Sequence, residues 1–380
     1  MTVTFFSNYL THHQIPFCEA MCRMEGVTFR FVATEPMEAE RLQGGWEQDE
    51  APYELRAYID EVSAAEALRL ARESDVMVIG SAPERYVTER MTHHPFPLTL
   101  RYSERLYKRG RWRVVSPRGA LLRFKTYFRY LSKPLYMLCA SAYTAGDLAM
   151  LGSYLGRCYR WGYFPATTRY PSIESILDKK EPASLLWVAR LIDWKHPEIP
   201  VEIARRLQAD GYDFTLTMVG NGPREDAVHQ LVEEQGVSDR IRFLSRLTPD
   251  QVRLEMERHS LFLFTSDQNE GWGAVLNEAM NSGCAVIADR RIGSVPFLIR
   301  DGENGYVYPN GDVDTLYTRV RTLLDDPATA RRMGRSAYTT ITETWCAEEA
   351  AARLFTLCEH LLRKDKPVFD EGPCSPAPIL

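Results

Sequence analysis

Apolar residues in the first half of the chain gather into short β-rich runs at 3–7, 27–33, 75–80, 98–102 and 136–141, with amphipathic stretches between them. Over 51–72, Leu55, Ile59, Val62, Ala65, Leu68 and Leu70 roughly keep a helical period and predict a helix. The second half repeats the scheme more cleanly. Its strands are predicted at 184–189, 214–220, 241–244, 261–266, 285–288 and 305–308, and its helices at 197–208, 225–235, 249–259, 273–282 and 313–324. Alternating strands and helices cover a parallel sheet on both faces. Two doubly wound α/β domains follow, 1–170 and 171–345, with Pro182 and the polar run 178–181 as the best linker signal. Ligands are expected at the C-terminal ends of the strands, in a cleft between the domains. In segment 346–365 a last helix, 347–363, places Ala350, Leu354, Leu357 and Leu361 on one stripe and is expected to pack back towards the N-terminal domain. The tail 366–380 is Pro-rich and aperiodic, and is expected to be disordered.

Composition narrows the class. At 380 residues the chain is too long for one comfortable core, and 45% hydrophobic with 26% charged residues is ordinary for a globular enzyme. No apolar run reaches the roughly 18 residues that span a bilayer, and no basic region precedes an apolar leader. The eight cysteines are scattered and form no CxxC pair, which suits reduced thiols and a cytoplasmic setting. Cys18 and Cys22 invite a zinc site with His12 or His13, but their helical spacing among apolar neighbours favours core packing.

The net charge of −5 hides an asymmetry: residues 101–133 carry eleven Lys or Arg against Glu104 alone, a local +10 that leaves −15 elsewhere. Trp112, Phe124, Tyr127, Phe128 and Tyr130 interleave with those cations. The segment therefore suits an anionic membrane surface, with a solvated helix face as the plain alternative. No RNA-binding signature accompanies it, so nucleic acid is not expected as a partner.

The candidate chemistry sits in the second half. In LFLFTSDQNEGWGAVLNEAMNSGCAVIA (261–288) a buried strand ends at Ser266, a polar loop follows, and a helix starts near Gly273. Gly271 and Gly273 let backbone approach a ligand, and a helix start suits a diphosphate. Glu270 precedes the helix. Glu278 lies opposite its Val275, Leu276, Ala279 and Met280 stripe, and each carboxylate can accept hydrogen bonds from two vicinal sugar hydroxyls. In VARLIDWK (188–195), Arg190 closes a strand and Lys195 opens the next helix, so both cations stand at the same sheet edge and can neutralise a leaving diphosphate. GNGP (220–223) ends another strand in a tight turn that can admit a nucleotide close to backbone.

Four of these segments in this order resemble glycosyltransferase family 4 of the GT-B fold: ARL-x3-K, GNGP, the FLxRL segment at 243–247, and E-x7-E from Glu270 to Glu278. The first half is similar to a bacterial surface-polysaccharide subgroup of that family through FFSNYLTHHQIPF, RYSERL and CASAYTAGDL. The resemblance implies two Rossmann-like domains facing a central cleft. It implies a retaining, metal-independent hexosyltransferase that takes a nucleotide diphosphate sugar, UDP-sugar favoured, and delivers it to a glycan or lipid-linked acceptor. Carried over, Arg190, Lys195 and Glu270 form the catalytic group. Glu278 holds the ribose, and Gly271, Trp272, Gly273, Ala274 and Val275 meet sugar and phosphate through their backbone. Gly220, Asn221 and Gly222 line the nucleotide pocket, with Arg246 and Leu247 beside the base. Front-face transfer leaves the acceptor proton to the departing phosphate, and no cofactor is required.

Two departures stand out. Asn8–Tyr9–Leu10 replaces a glycine pair after the first strand, and Arg101, followed by Tyr102 and Ser103, stands where relatives carry a histidine. Arg101 and Ser103 become candidates for phosphate or an anionic acceptor, as do His12 and His13 after the first strand. Asp312 and Asp314 spell DxD, but they follow Pro309–Asn310–Gly311 ahead of a helix and read as an N-cap rather than a metal site. A nucleotide-sugar epimerase of the same fold and a non-catalytic nucleotide-sugar-binding partner subunit are the rival readings. No GxGxxG follows the first strand of either domain, which argues against a nicotinamide dehydrogenase.

Overall fold

The computed structural model describes residues 1–38, 51–94, 96–108, 110, 124–365 and 369–380. The chain divides into two compact units. The first comprises Met1–Ala166 and Trp345–Leu380, and the second comprises Thr167–Thr344.

In unit 1, seven parallel strands run in the order β3-β2-β1-β4-β5-β6-β7: β1 Thr2–Ser7, β2 Thr28–Ala33, β3 Glu54–Arg56, β4 Val76–Ile79, β5 Leu98–Ser103, β6 Leu135–Cys139 and β7 Cys158–Arg160. Helices α1 (Ile15–Arg23), α2 (Glu61–Glu73), α3 (Arg85–His93) and α4 (Thr144–Met150) cover the faces. On one face Phe5 packs its ring against Phe17 of α1 and Phe31 of β2. On the other, Phe6, Met77, Ile79 and Met137 meet Tyr86 and Val87 of α3.

Unit 2 is a six-stranded parallel sheet in the order β10-β9-β8-β11-β12-β13: β8 Glu181–Val188, β9 Thr215–Val219, β10 Ile241–Leu244, β11 His259–Phe264, β12 Ala285–Asp289 and β13 Tyr306–Tyr308. Its helices are α5 (Glu174–Leu177), α6 (Glu198–Ala209), α7 (Glu225–Glu234), α8 (Pro249–Arg258), α9 (Val275–Asn281), α10 (Val295–Leu298), α11 (Val313–Asp325) and α12 (Pro327–Thr339). The central strands are buried on both faces and read as near-continuous apolar runs, so their positions were legible in the sequence.

Three expectations change. The helix expected over 51–72 begins only at Glu61, because the Asp60 carboxylate accepts the Ser63 amide at 2.7 Å and caps it there; residues 54–56 instead pair with Phe31–Ala33 as edge strand β3. The linker expected at 178–182 is part of unit 2. Lys180 is tied to the Met256 and His259 carbonyls at 2.8 Å each, and Pro182 lies in the exposed start of β8, where no ladder donor is needed. The division falls at 166/167 instead.

The tail is not disordered over 369–380. Arg160 N donates to Ser375 O at 2.7 Å, Cys374 N to Arg160 O at 2.8 Å and Ala377 N to Cys158 O at 2.9 Å, which covers the open edge of β7. Cys374 and Ser375 are fully buried there. The last helix, α13 (Ala347–Arg363), belongs to unit 1 and packs on α1.

Candidate functional site

Register in unit 2 brings the candidate segments to one rim. Val188 pairs with Val219 and Val219 with Leu244, while Phe264 pairs with Ala288. The segments after β8, β9, β10 and β11 therefore leave the sheet at nearly one level. From β8 the chain runs outward through β9 and β10, then returns to start β11 on the other flank of β8. The β8/β11 boundary is the topological switch point, where loops diverge to opposite faces and open a crevice.

That boundary is laced together. Trp187 Nε1, buried in β8, donates to Thr265 Oγ1 at 2.9 Å, and the Thr265 hydroxyl donates to Lys195 O at 2.7 Å. Asp267 N donates to Trp194 O at 3.0 Å. These contacts seat a 3-10 turn, Asp193–Lys195, beside the loop after β11. The Lys195 ammonium lies 4.4 Å from the Trp194 ring centroid and forms an ion pair with the Glu270 carboxylate, both side chains being nearly buried. Lys195 and Glu270, predicted from segments 75 residues apart, meet directly. Arg190 is exposed just past the end of β8.

The GNGP turn is locked to the same segment. Leu191 N donates to Asn221 O at 2.8 Å, Arg224 N to Leu191 O at 3.0 Å and Gly220 N to Leu244 O at 2.8 Å. Gly220 (φ +136°) and Gly222 (φ +155°) adopt backbone forbidden to most residues, and a Cβ on either would strike the Ala189 or Leu191 carbonyl. These glycines thus admit the neighbouring chain first. Arg246 is exposed, and Leu247 half-buried, after β10.

In the Glu270–Val275 stretch, Trp272 is wholly buried, its Nε1 donating to Asn277 Oδ1 at 2.9 Å, so only its backbone can face a ligand. Gly273 (φ +86°) sits under the Phe264 ring, and Ala274 and Val275 are half-buried. Glu278 is half-buried in α9; desolvation pushes its carboxyl up to about 7, against the opposing pull of Arg253. Arg253, on α8, carried no motif and was missed. His196 and Asp267 were also missed: His196 Nδ1 stands 2.9 Å from Glu198 Oε1, and its Nε2 stands 3.5 Å from Asp267 Oδ2.

In unit 1, the His12 and His13 rings lie with centroids 3.8 Å apart, tilted by 51°, after β1, and His13 lies 6.2 Å from the nearly parallel Tyr163 ring. The Tyr163 hydroxyl donates to Glu104 at 2.7 Å, and the other Glu104 oxygen meets Lys108 at 2.5 Å. The Ser103 hydroxyl donates to Glu104 O at 2.8 Å. Arg101 is turned inward: it is 8% exposed and donates to Glu84 at 2.5 Å. Of the basic segment, residues 109 and 111–123 and the Lys125 side chain lie outside the described residues.

Asp312 caps α11. Its Oδ1 accepts the Asp314 and Thr315 amides at 3.0 Å each, and its Oδ2 accepts the Thr315 hydroxyl. A cavity of about 200 Å³ lined by Pro182, Ser260, Gly283 and Leu324 opens at the opposite strand end, away from this chemistry.

Residues 171–340 match the family model for glycosyl transferases group 1. The second unit belongs to that family. The N-acetyl-alpha-D-glucosaminyl L-malate synthase of Bacillus anthracis is 32% identical over 154 residues, 40% of this chain and 39% of that one. The chain thus spans well under half the length of the curated relatives it matches. Among solved structures, a glycosyltransferase from Rickettsia africae ESF-5 superposes with a TM-score of 0.67 over 96% of this chain and 99% of that one, at 14% identity. Anabaena HepE, solved in complex with UDP and glucose, gives 0.62 over 94% and 99% at 15% identity. This likeness shows the fold: both units are the Rossmann-like domains of a GT-B architecture.

Proposed function

We propose that the protein is a retaining, metal-independent glycosyltransferase that moves a hexose-type sugar from a nucleotide diphosphate donor, UDP-sugar favoured, to a glycan or lipid-linked acceptor in bacterial cell-surface polysaccharide synthesis. The observation that carries this reading is the Lys195–Glu270 ion pair at the β8/β11 switch point, in a domain of the group 1 family.

Donor arrival exchanges partners: the Lys195 ammonium turns from Glu270 to the diphosphate, joined by Arg190, and Glu270 is freed to accept hydroxyls of the transferred sugar. Glu278 accepts the ribose hydroxyls, and backbone from Gly271 to Val275 faces sugar and phosphate. Gly220, Asn221 and Gly222, with Arg246 and Leu247, border the nucleoside. The C1–oxygen bond to phosphate breaks as the acceptor oxygen bonds C1 on the same face, and the departing phosphate takes the acceptor proton. Placed charge then does most of the catalysis. His12, His13 and Ser103 border the acceptor side. An anionic membrane presents that acceptor at the cytoplasmic face, met by the basic segment, where Phe124 is 57% exposed and Arg129 is exposed.

A thermal-shift panel of UDP, GDP, ADP and their sugars tests the donor, because selective binding raises the melting point with affinity. UDP and one UDP-hexose should stabilise the protein, and turnover should survive chelator. A panel with no response, or turnover restored only by Mn²⁺, would count against the reading. Co-sedimentation with liposomes should increase with anionic lipid content.

A further inference from the structure

His196 adopts a left-handed backbone, φ +52° and ψ +57°, directly after Lys195. A non-glycine residue is held in this region only where its surroundings over-determine it. Here His196 N donates to Asp193 O and Ile199 N to His196 O, each at 3.1 Å, and the imidazole bridges Glu198 at the start of α6 and Asp267 in the loop after β11. Both partners are acceptors, so the form that serves both is the imidazolium. The bridge joins the two segments that end in Lys195 and Glu270. Other charges stand around it: Asp193 pairs with Arg224 at 2.5 Å, Arg224 also acts on Glu198, and Arg291 past β12 acts across to Asp267.

We infer that His196 is a positioning residue: as an imidazolium it latches the turn after β8 to the loop after β11 and so sets Lys195 against Glu270 for the donor diphosphate. The inference rests on the donor-site reading above. The Glu198 hydrogen bond, helped by the charges of Glu198 and Asp267 and opposed by desolvation, holds the His196 pKa above its usual 6.5. A raised histidine keeps its proton at low pH and surrenders it as pH climbs through the raised value. The latch is therefore closed on the acid side and opens on the alkaline side, and donor affinity falls with it.

Two variants test this. His196→Gly keeps the left-handed backbone without strain and removes the ring, while Asp267→Asn removes the charge the ring reaches for. Each should raise the donor KM about tenfold with a smaller change in kcat, and flatten the alkaline limb of kcat/KM. In the unliganded protein, amide exchange over 193–196 and 266–270 at pH 6.5 should accelerate about tenfold in His196→Gly, at an unchanged or higher Tm. Native exchange, corrected for its intrinsic pH dependence, should approach the variant's at pH 9. Unchanged exchange in the variant overturns the latch, whatever the activity. Faster exchange with an unmoved KM and pH profile overturns the positioning role. A native protein that closes and opens as described yet binds no nucleotide sugar refutes the donor-site reading and leaves the latch standing as a structural device.

Discussion

Glu278 combines a half-buried carboxyl with a pKa near 7, and this has a consequence for stability. Its ordinary value is 4.5, so between about 4.5 and 7 the folded protein keeps a proton that the unfolded chain has released. Stability from this group therefore falls as pH rises across that window and is level above it, with a total change of about 3 kcal/mol. Glu278→Gln should flatten the dependence of Tm on pH between 5 and 8 and stabilise the unliganded protein at pH 8, while weakening nucleotide binding. An unaltered pH slope in the variant would refute the burial effect. At Lys195 the balance differs, because its loss leaves the nearly buried Glu270 charge without its partner. Lys195→Met should cost about 2 kcal/mol and lower kcat/KM by roughly 10²–10³, with Glu270→Gln in the same chain recovering the stability and not the activity. Denaturant melts and steady-state kinetics on the single and double variants separate the two effects.

Among the elements, accuracy of the sequence reading follows burial. The strands of unit 2 were placed to within a few residues, and 285–288 falls one residue short of β12, because a strand covered on both faces must be apolar throughout. Edge elements carry no such signature. Strand β3 has three half-buried residues and was absorbed into a helical pattern, and the tail looked structureless because proline and glycine give no period. Arg90 was likewise unmarked, though it is wholly buried and donates to the carbonyls of Ala71, Ser74, Asp75 and Leu98. The tail's contribution is measurable. Removing 369–380 breaks three backbone hydrogen bonds to β7 and uncovers its edge. The expected loss is about 3 kcal/mol, or roughly 5–10 °C in the melting point of unit 1, with faster aggregation by light scattering.

For the whole molecule, the return of α13 to unit 1 makes that unit discontinuous in sequence, whereas unit 2 is one contiguous stretch. Helix α13 buries Ala350, Leu354, Leu357 and Leu361, and each leucine withdrawn from water contributes about 1.5–3 kcal/mol. Ending the chain after Thr344 should abolish cooperative melting of unit 1 and leave the calorimetric transition of unit 2 in place. Loss of both transitions would contradict this division. Among the described residues no helix is long and apolar enough to cross a membrane.

By itself the sequence determined the alternation of strands and helices, the two-domain plan and the charged positions Arg190, Lys195, Glu270 and Glu278, because apolar period and local motif are properties of neighbouring residues. Tertiary structure alone decided which charges meet: that Lys195 pairs with Glu270, that Arg101 turns inward to Glu84, that Arg253 acts on Glu278, and that His196 spans to Asp267. Those pairings join residues 17 to 75 positions apart along the chain. A carboxylate's partner and its desolvation depend on strand order and register, and no local pattern records either.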